Sequence, residues 1–386
     1  MAILVKKFGG SSVATPEKMH GIVDRVLREK KPDDRIVIVV SAMGDSTDDL
    51  LDLAAKVTDS MPKRELDMLL STGEQVSIAL LAAAFCSKGQ PAVSFTGGQA
   101  GIHTSDIHSK ATILDVDAKR VIKALDEGKI AIVAGFQGIT DEGDITTLGR
   151  GGSDTTAVAV AAGIKADFCE IYTDVDGVYT SDPRIVPNAQ KMNEITFAEM
   201  LELARLGAGV MQPRAVEYGE HNSVAIHVRS TFKDDPGTII REEYTVQEKN
   251  FVIRGVAHDT NVAKIAVKGV PDQPGVAYKI FSALANANVD VDMIIQSVRD
   301  IDGSNDILFT VAKTDLVEAT SVVESLKDEM GGFNYDVEIN VAKVSIVGAG
   351  MLGSPGIAAG MFGALAKAGI NIAAISTSEI SVSCLI

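Results

Sequence analysis

The sequence has no tryptophan in 386 residues, only three cysteines, and fewer cations than anions: 36 Lys and Arg against 52 Asp and Glu. The resulting formal charge of −16 argues against nucleic acid and against an anionic membrane as partners. An anionic substrate would have to be held by a few local cations. Cys86, Cys169 and Cys384 are odd in number and lack metal-ligand spacing. They read as buried, reduced thiols of a cytoplasmic protein. Residues 1–7 read as a short strand rather than a signal peptide. No apolar run approaches the roughly 20 residues of a membrane helix, and Ile78 to Cys86 reads as a core helix segment. Also missing are G-x-x-x-x-G-K-S/T and the protein-kinase motif set, so any phosphoryl-transfer chemistry belongs to neither large class.

What is present suffices for two or three globular domains. One stretch stands out: Leu148-Gly149-Arg150-Gly151-Gly152-Ser153-Asp154. Glycines bring backbone N–H groups close to an anion, and the apolar segment after it predicts a helix whose N-terminus adds partial positive charge. Ser153 or Asp154 is the expected N-cap, and Gly163 suits the C-terminal stop. Arg150 can grip a carboxylate or phosphate with two parallel hydrogen bonds.

The chain begins with an apolar strand, Ile3 to Val5, that runs into Lys7-Phe8-Gly9-Gly10-Ser11-Ser12. Thr15 and Pro16 then start a helix with an apolar face. Ile36–Val40, Ala92–Phe95, Ile130–Ala134, Phe168–Tyr172 and Val224–Val228 read as further strands, with helices expected at 48–58 and 63–88 and Thr72-Gly73-Glu74 interrupting or beginning the second. This β-α-β alternation predicts a mainly parallel sheet with helices on both sides. Ligands of such sheets bind at the carboxyl ends of the strands. Three loops of phosphate-binding character fall there: Lys7–Ser12, Gly149–Asp154 and Thr173–Arg184, the last carrying Tyr179. Lys7 can supply charge to a transferring phosphoryl group, and Asp154 or Asp174 can orient the acceptor or lysines, or hold metal-bound water.

Residues 241–248 read as a charged linker. Beyond it an internal repeat appears. Pro274-Gly275-Val276 and Val289-Asp290-Val291 recur, at one constant offset, as Pro355-Gly356-Ile357 and Ile370-Asn371-Ile372. Each copy reads as strand, Pro-Gly turn, amphipathic helix, strand. A duplicated α+β module without catalytic-looking residues favours ligand sensing or assembly. Gly348-Ala349-Gly350-Met351-Leu352-Gly353 matches the dinucleotide fingerprint, but too few residues follow it for a nucleotide domain, and the first copy lacks it.

Taken together, the Lys7–Ser12, Leu148–Asp154 and Tyr172-Thr173-Asp174-Val175-Asp176-Gly177 motifs resemble those of the aspartokinases, and the resemblance covers essentially the whole chain. It implies an α/β amino-acid-kinase fold, an αβα sandwich with a mainly parallel sheet, over residues 1–240, followed by two α+β ACT domains. The first would span 264–340 and the second 249–263 plus 341–386, with a strand near Phe251 to Ala257 completing it. The implied activity is ATP-dependent phosphorylation of the L-aspartate side-chain carboxylate to 4-phospho-L-aspartate. That is the first step toward lysine, threonine and methionine and, in bacteria, diaminopimelate.

Carried over motif by motif, Lys7 and Asp154 would be catalytic. Lys7, Gly9, Gly10, Ser11, Thr173, Asp174, Tyr179 and Arg184 would bind ATP, which enters as its Mg2+ complex. Ser41, Thr47, Glu74, Phe136, Arg150 and Ser153 would bind aspartate. Effector lysine or threonine would meet Asp272, Gln273, Pro274, Gly275, Val276, Asn288, Val289, Asp290 and Gln296, with Ile357, Asn371, Ile372 and Thr377 from the second copy. A homodimer through the ACT domains is expected. Many relatives have lysine in a Gly-Ala-Lys-Val stretch, where this sequence has Gly207-Ala208-Gly209-Val210; Arg214 or Arg184 is the expected substitute cation. Relatives continue past Ile386, while a fused homoserine dehydrogenase is not expected. The alternatives are another kinase of the same fold and an amino-acid-sensing ACT protein with a degenerate kinase domain.

Overall fold

In a computed structural model the chain divides into two compact units, residues 1–249 and 250–386. The structure describes residues 2–244, 252–297, 304–327, 330, 332–351 and 354–386. Most of the expected linker, Phe251 of the expected strand, and Leu352 and Gly353 of the glycine fingerprint lie outside them.

The first unit opens with β1 (Ile3–Phe8), α1 (Pro16–Glu29), β2 (Arg35–Val40), α2 (Ser46–Val57) and α3 (Lys63–Ser87). Next come β3 (Ala92–Phe95), β4 (Ile102–Thr104), β5 (Ile113–Val116), α4 (Lys119–Asp126), β6 (Ile130–Ala134), β7 (Gln137–Ile139) and β8 (Ile145–Thr147). It closes with α5 (Gly152–Gly163), β9 (Phe168–Thr173), β10 (Glu194–Thr196), α6 (Phe197–Arg205), α7 (Pro213–His221), β11 (Ile226–Ser230) and β12 (Thr238–Arg241).

Eight strands form the main sheet in the order β10-β12-β11-β9-β1-β2-β6-β3. From β11 to β3 every pairing is parallel, and β12 runs antiparallel to β11. Sequence explains the centre. The β2 residues Ile36 to Val40 and the β6 residues Ile130 to Ala134 are buried throughout, as strands covered on both faces must be. A core cluster joins these strands to Met19, Ile22, Val23 and Val26 of α1 and to Ile78, Leu81 and Phe85 of α3. Thr15 caps α1, its hydroxyl accepting from the Lys18 N–H, with Pro16 at the first helical position.

Three expectations change here. Gly73 does not interrupt α3; it leaves room for Ala42, whose Cβ would lie 2.8 Å from an added side-chain carbon. The same continuous helix is long and apolar enough to cross a membrane by length and composition, but half of its apolar window is buried, as in a core helix. Cys86, near its end, is exposed, whereas Cys169 and Cys384 are buried. A second sheet, β5-β4-β7-β8, had no counterpart in the sequence reading, because its three- and four-residue strands are too short to show a period.

The second unit contains β13 (Gly255–Asp259), β14 (Val262–Pro271), α8 (Val276–Asn286), β15 (Val291–Gln296), β16 (Ser304–Ala312), α9 (Leu316–Leu326) and β17 (Asn334–Glu338). It ends with β18 (Lys343–Val347), α10 (Ile357–Lys367), β19 (Ala374–Thr377) and β20 (Ser381–Leu385). One four-stranded sheet has the order β15-β16-β14-β17 and the other β13-β18-β20-β19. The second sheet therefore recruits a strand that precedes the whole first module in sequence. The repeat is written into the backbone too: Gly275 and Gly356 cap α8 and α10 at nearly equal left-handed φ values of 98° and 96°. Val262, Met293, Val341, Ala374 and Leu385 form an apolar cluster drawing on both modules, and Lys343 pairs with Asp292.

Candidate functional site

The carboxyl ends of the parallel strands β1, β2, β6 and β9 lie along one edge of the main sheet. The N-terminal turn of α5 meets that edge. Lys7, near the end of β1, places its Nζ 2.6 Å from Asp154 Oδ1, off the direction of a regular hydrogen bond. Both side chains are largely buried. The backbone turns sharply beside this ammonium, so that a Cβ at Gly9 would lie 3.5 Å from it. Gly10 rests on the loop after β2, and the Gly44 N–H donates to its carbonyl at 3.1 Å.

Ser41 and Ser153 join hydroxyls at 3.0 Å across the ends of β2 and α5. Neither Ser153 nor Asp154 is the N-cap. Gly151 takes that place in the left-handed region, φ 68°, and a Cβ there would strike the Gln212 side chain. Ser153 is drawn to Ser41 and Asp154 to Lys7, which leaves both side chains unavailable for capping. Phe136 is half-buried at φ 68°, its N–H donating to Thr156 Oγ1 at 3.1 Å. Arg150 is exposed on the loop just before α5, and Thr47 is half-buried in the first turn of α2.

Glu74 is buried on α3. One carboxylate oxygen accepts the Ala42 N–H at 3.2 Å; the other is buried without a partner. Burial raises its pKa to about 7, against the opposing pull of backbone hydrogen bonds. Its heptad neighbour Asp67 went unnoticed in the sequence, because its partners are separated from it by some 40 to 80 residues.

On the β9 side, Thr173 Oγ1 donates to Asp174 at 3.0 Å and Tyr179 Oη to Asp176 at 2.8 Å. Arg184 is exposed and bonded to Asp182. Arg214, one of the two expected substitute cations, is occupied by backbone acceptors. Its guanidinium donates to the carbonyls of Leu148 and Ala111, both at 2.8 Å, and so braces the motif loop. Arg184, by contrast, is exposed at the surface, where its partner is Asp182. Gly209 itself is exposed, with nothing within 4 Å of a Cβ built on it.

Below the edge, Lys6 points to the face opposite Lys7 and enters a buried network with Glu29, Glu170 and Tyr172. Burial opposes its charge, but Glu170 and Tyr172 more than reverse that and raise its pKa. Burial likewise opposes ionisation of Glu29, yet Lys6, Arg229 and Arg25 hold its pKa down at about 2. The cluster joins α1 to strands β1, β9 and β11, and fixes the strand that carries Lys7.

In the second unit Gly275 and Gly356 open their helices, and Asp272, Gln273, Pro274, Asn288, Asp290, Gln296, Asn371 and Thr377 are exposed. Val276, Ile357 and Ile372 are half-buried. Val289 instead turns into the core of the first module. Asn305 Nδ2 donates to Asp272 Oδ1 at 3.0 Å.

Comparison with known proteins decides the family. The amino acid kinase family model matches residues 2–230, and an ACT domain model matches 265–326 and 344–386. The aspartokinase of Mycolicibacterium smegmatis is 51% identical, with all of this chain matched to 92% of that one. The aspartate kinase of Stutzerimonas stutzeri is 50% identical over all of this chain and 93% of its own. The chain belongs to the aspartokinase family. Among solved structures, E. coli aspartokinase III in complex with aspartate and ADP, in its R-state, matches all of this chain and 96% of its own, with a TM-score of 0.83 at 26% identity. The same enzyme in complex with lysine and aspartate, in its T-state, matches with a TM-score of 0.78 at 26% identity. This member of the aspartokinases is therefore a kinase of the amino-acid-kinase fold followed by ACT domains.

Proposed function

We propose that the edge of the main sheet transfers the γ-phosphoryl group of Mg-ATP to the side-chain carboxylate of L-aspartate, with Lys7 as the cation on the transferring group. The observation that carries this reading is the buried Lys7–Asp154 pair where β1, its glycine turn and the α5 N-terminus meet. Phosphoryl transfer needs positive charge on the equatorial oxygens and an oriented acceptor, with little covalent work from the protein. Asp154 holds the ammonium at the strand end, and the backbone at Gly9, Gly10 and Ser11 receives the ATP phosphates. The γ-phosphorus–oxygen bond to ADP breaks as the aspartate oxygen bonds to phosphorus. ADP and 4-phospho-L-aspartate leave.

Aspartate offers an ammonium and two carboxylates. Glu74 suits the ammonium, since its second oxygen is buried and unpaired. Arg150 suits the α-carboxylate, with Ser41, Thr47, Phe136 and Ser153 around it. Thr173, Asp174, Tyr179 and Arg184 border the nucleotide. Mg2+ enters with ATP, bound to its phosphates, as phosphoryl transfer generally requires. Residues 1–240 form the kinase domain, 264–340 the first ACT domain, and 249–263 with 341–386 the second.

Lysine or threonine bound at Asp272 to Val276, Asn288, Asp290 and Gln296, with Ile357, Asn371, Ile372 and Thr377, regulates the enzyme. The chains pair through the ACT domains in a cytoplasmic homodimer. The test is ADP release from Mg-ATP with L-aspartate, titrated with lysine and threonine separately and together. Turnover that requires aspartate and falls with an effector is expected. ADP release indifferent to aspartate, but stimulated by glutamate or another acceptor, would overturn the substrate assignment.

A further inference from the structure

We propose that Asp67 is a positioning residue for the aspartate pocket: it locks the Arg150 loop onto the helix that carries Glu74. Asp67 and Glu74 lie seven residues, two helical turns, apart and so share one face of α3. Both are buried, and Asp67 has no solvent exposure at all. A fully buried carboxylate is costly unless its oxygens are satisfied, and nothing in the proposed chemistry uses this one.

Its partners all belong to the segments that set the course of the Arg150 loop. Thr147, the last residue of β8, donates its hydroxyl at 2.6 Å. His108 Nδ1 lies at 2.9 Å, in position to donate. The Ser109 N–H lies 2.9 and 3.1 Å from the two oxygens. Ser109 stands at φ 69°, a left-handed conformation that non-glycine residues adopt only where the surroundings hold them. Its carbonyl faces Gly149, where an added Cβ would lie 3.3 Å away. The Ala111 N–H then bonds the Thr147 carbonyl at 2.9 Å, and Arg214 joins the Ala111 and Leu148 carbonyls from the other side.

The loop that ends in Arg150 is thus pinned on one side by a carboxylate from α3 and on the other by a guanidinium from α7. Arg150 itself is exposed, so its place is set by this backbone and not by packing of its own side chain. The inference rests on the proposed roles of Arg150 and Glu74 as the two ends of the aspartate grip. Asp67 fixes the distance between them.

The experiment compares Asp67→Asn, Arg150→Ala and the double variant Asp67→Asn/Ser109→Gly in the full-length enzyme. Each is measured for KM of aspartate, KM of ATP, kcat and melting temperature. Asp67→Asn keeps the volume but turns one acceptor into a donor facing the Ser109 N–H. It should raise KM for aspartate by roughly tenfold to a hundredfold while KM for ATP stays within about twofold. Glycine adopts a left-handed φ without a clamp, so Ser109→Gly should recover a large part of that loss. Should KM rise equally for both substrates, or only the melting temperature fall, Asp67 is a structural residue and the proposal is overturned. Should Asp67→Asn leave KM for aspartate unchanged while Arg150→Ala raises it, the proposal fails and the aspartate grip stands. If Arg150→Ala leaves it unchanged, the grip itself is wrong.

Discussion

Lys7 Nζ lies 2.6 Å from Asp154 Oδ1, although 146 residues separate the two in sequence. The pair ties the first strand of the sheet to the first turn of α5. Lys7→Ala should lower kcat by roughly a hundredfold to a thousandfold, about 3 to 4 kcal/mol of transition-state stabilisation, with a smaller effect on either KM. Steady-state kinetics of the purified variant decides it. A kcat within twofold of the parent enzyme removes Lys7 from the chemistry.

Glu74 gives a pH dependence. Its pKa of about 7 means that roughly half of the free enzyme carries a protonated Glu74 at neutral pH. Only the carboxylate attracts the substrate ammonium. KM for aspartate should therefore rise as pH falls through 7, approaching about tenfold per unit well below it. Glu74→Gln should abolish that slope and raise KM throughout. Stability follows the opposite sense. Because the folded pKa lies above the ordinary 4.5, the fold loses stability as pH rises from 4.5 toward 7 and Glu74 ionises in its buried place. A pH profile of KM that matches the parent's in the Gln variant would rule out Glu74 as the titrating group.

Gly209 has open space around it. Gly209→Lys should leave the melting temperature within about a degree or two, because no neighbour has to move. Should the new ammonium reach the nucleotide phosphates, KM for ATP falls by roughly tenfold with kcat little changed. An unchanged KM would show that the nucleotide lies beyond the reach of that side chain.

Asp290 is exposed in the second unit. Asp290→Ala should keep uninhibited turnover and raise the half-inhibiting concentration of lysine or threonine by about tenfold. Lost basal activity with inhibition intact would place the effector elsewhere.

Some of this was legible without coordinates. The β-branched runs of β2 and β6, Thr15 with Pro16, and the Pro-Gly repeat all carry local signals: burial on both faces, a cap, a turn. The motif residues Lys7, Arg150 and Asp154 stood out because glycines surround them. The cap of α5 was misread because the same Ser-Asp pair that suits a helix start is claimed by Ser41 and Lys7, distant partners that a local rule cannot weigh. Arg214 looked like a free cation for the nucleotide, and only its two carbonyl partners identify it as a brace.

The sequence by itself determined strands β1, β2, β3, β6, β9 and β11 of the main sheet and singled out Lys7, Arg150 and Asp154 as candidate residues, because periodicity and glycine motifs act over a few residues; the short strands β10 and β12 carry no such signal. Tertiary structure alone decided the rest. It set the state of Glu74, whose pKa depends on burial; the residue-by-residue register of β13 on β18, which pairs positions nearly ninety residues apart; and the grip of Asp67 on Ser109 and Thr147. Desolvation and long-range hydrogen bonds exist only once distant segments are packed together, so no window of sequence contains them.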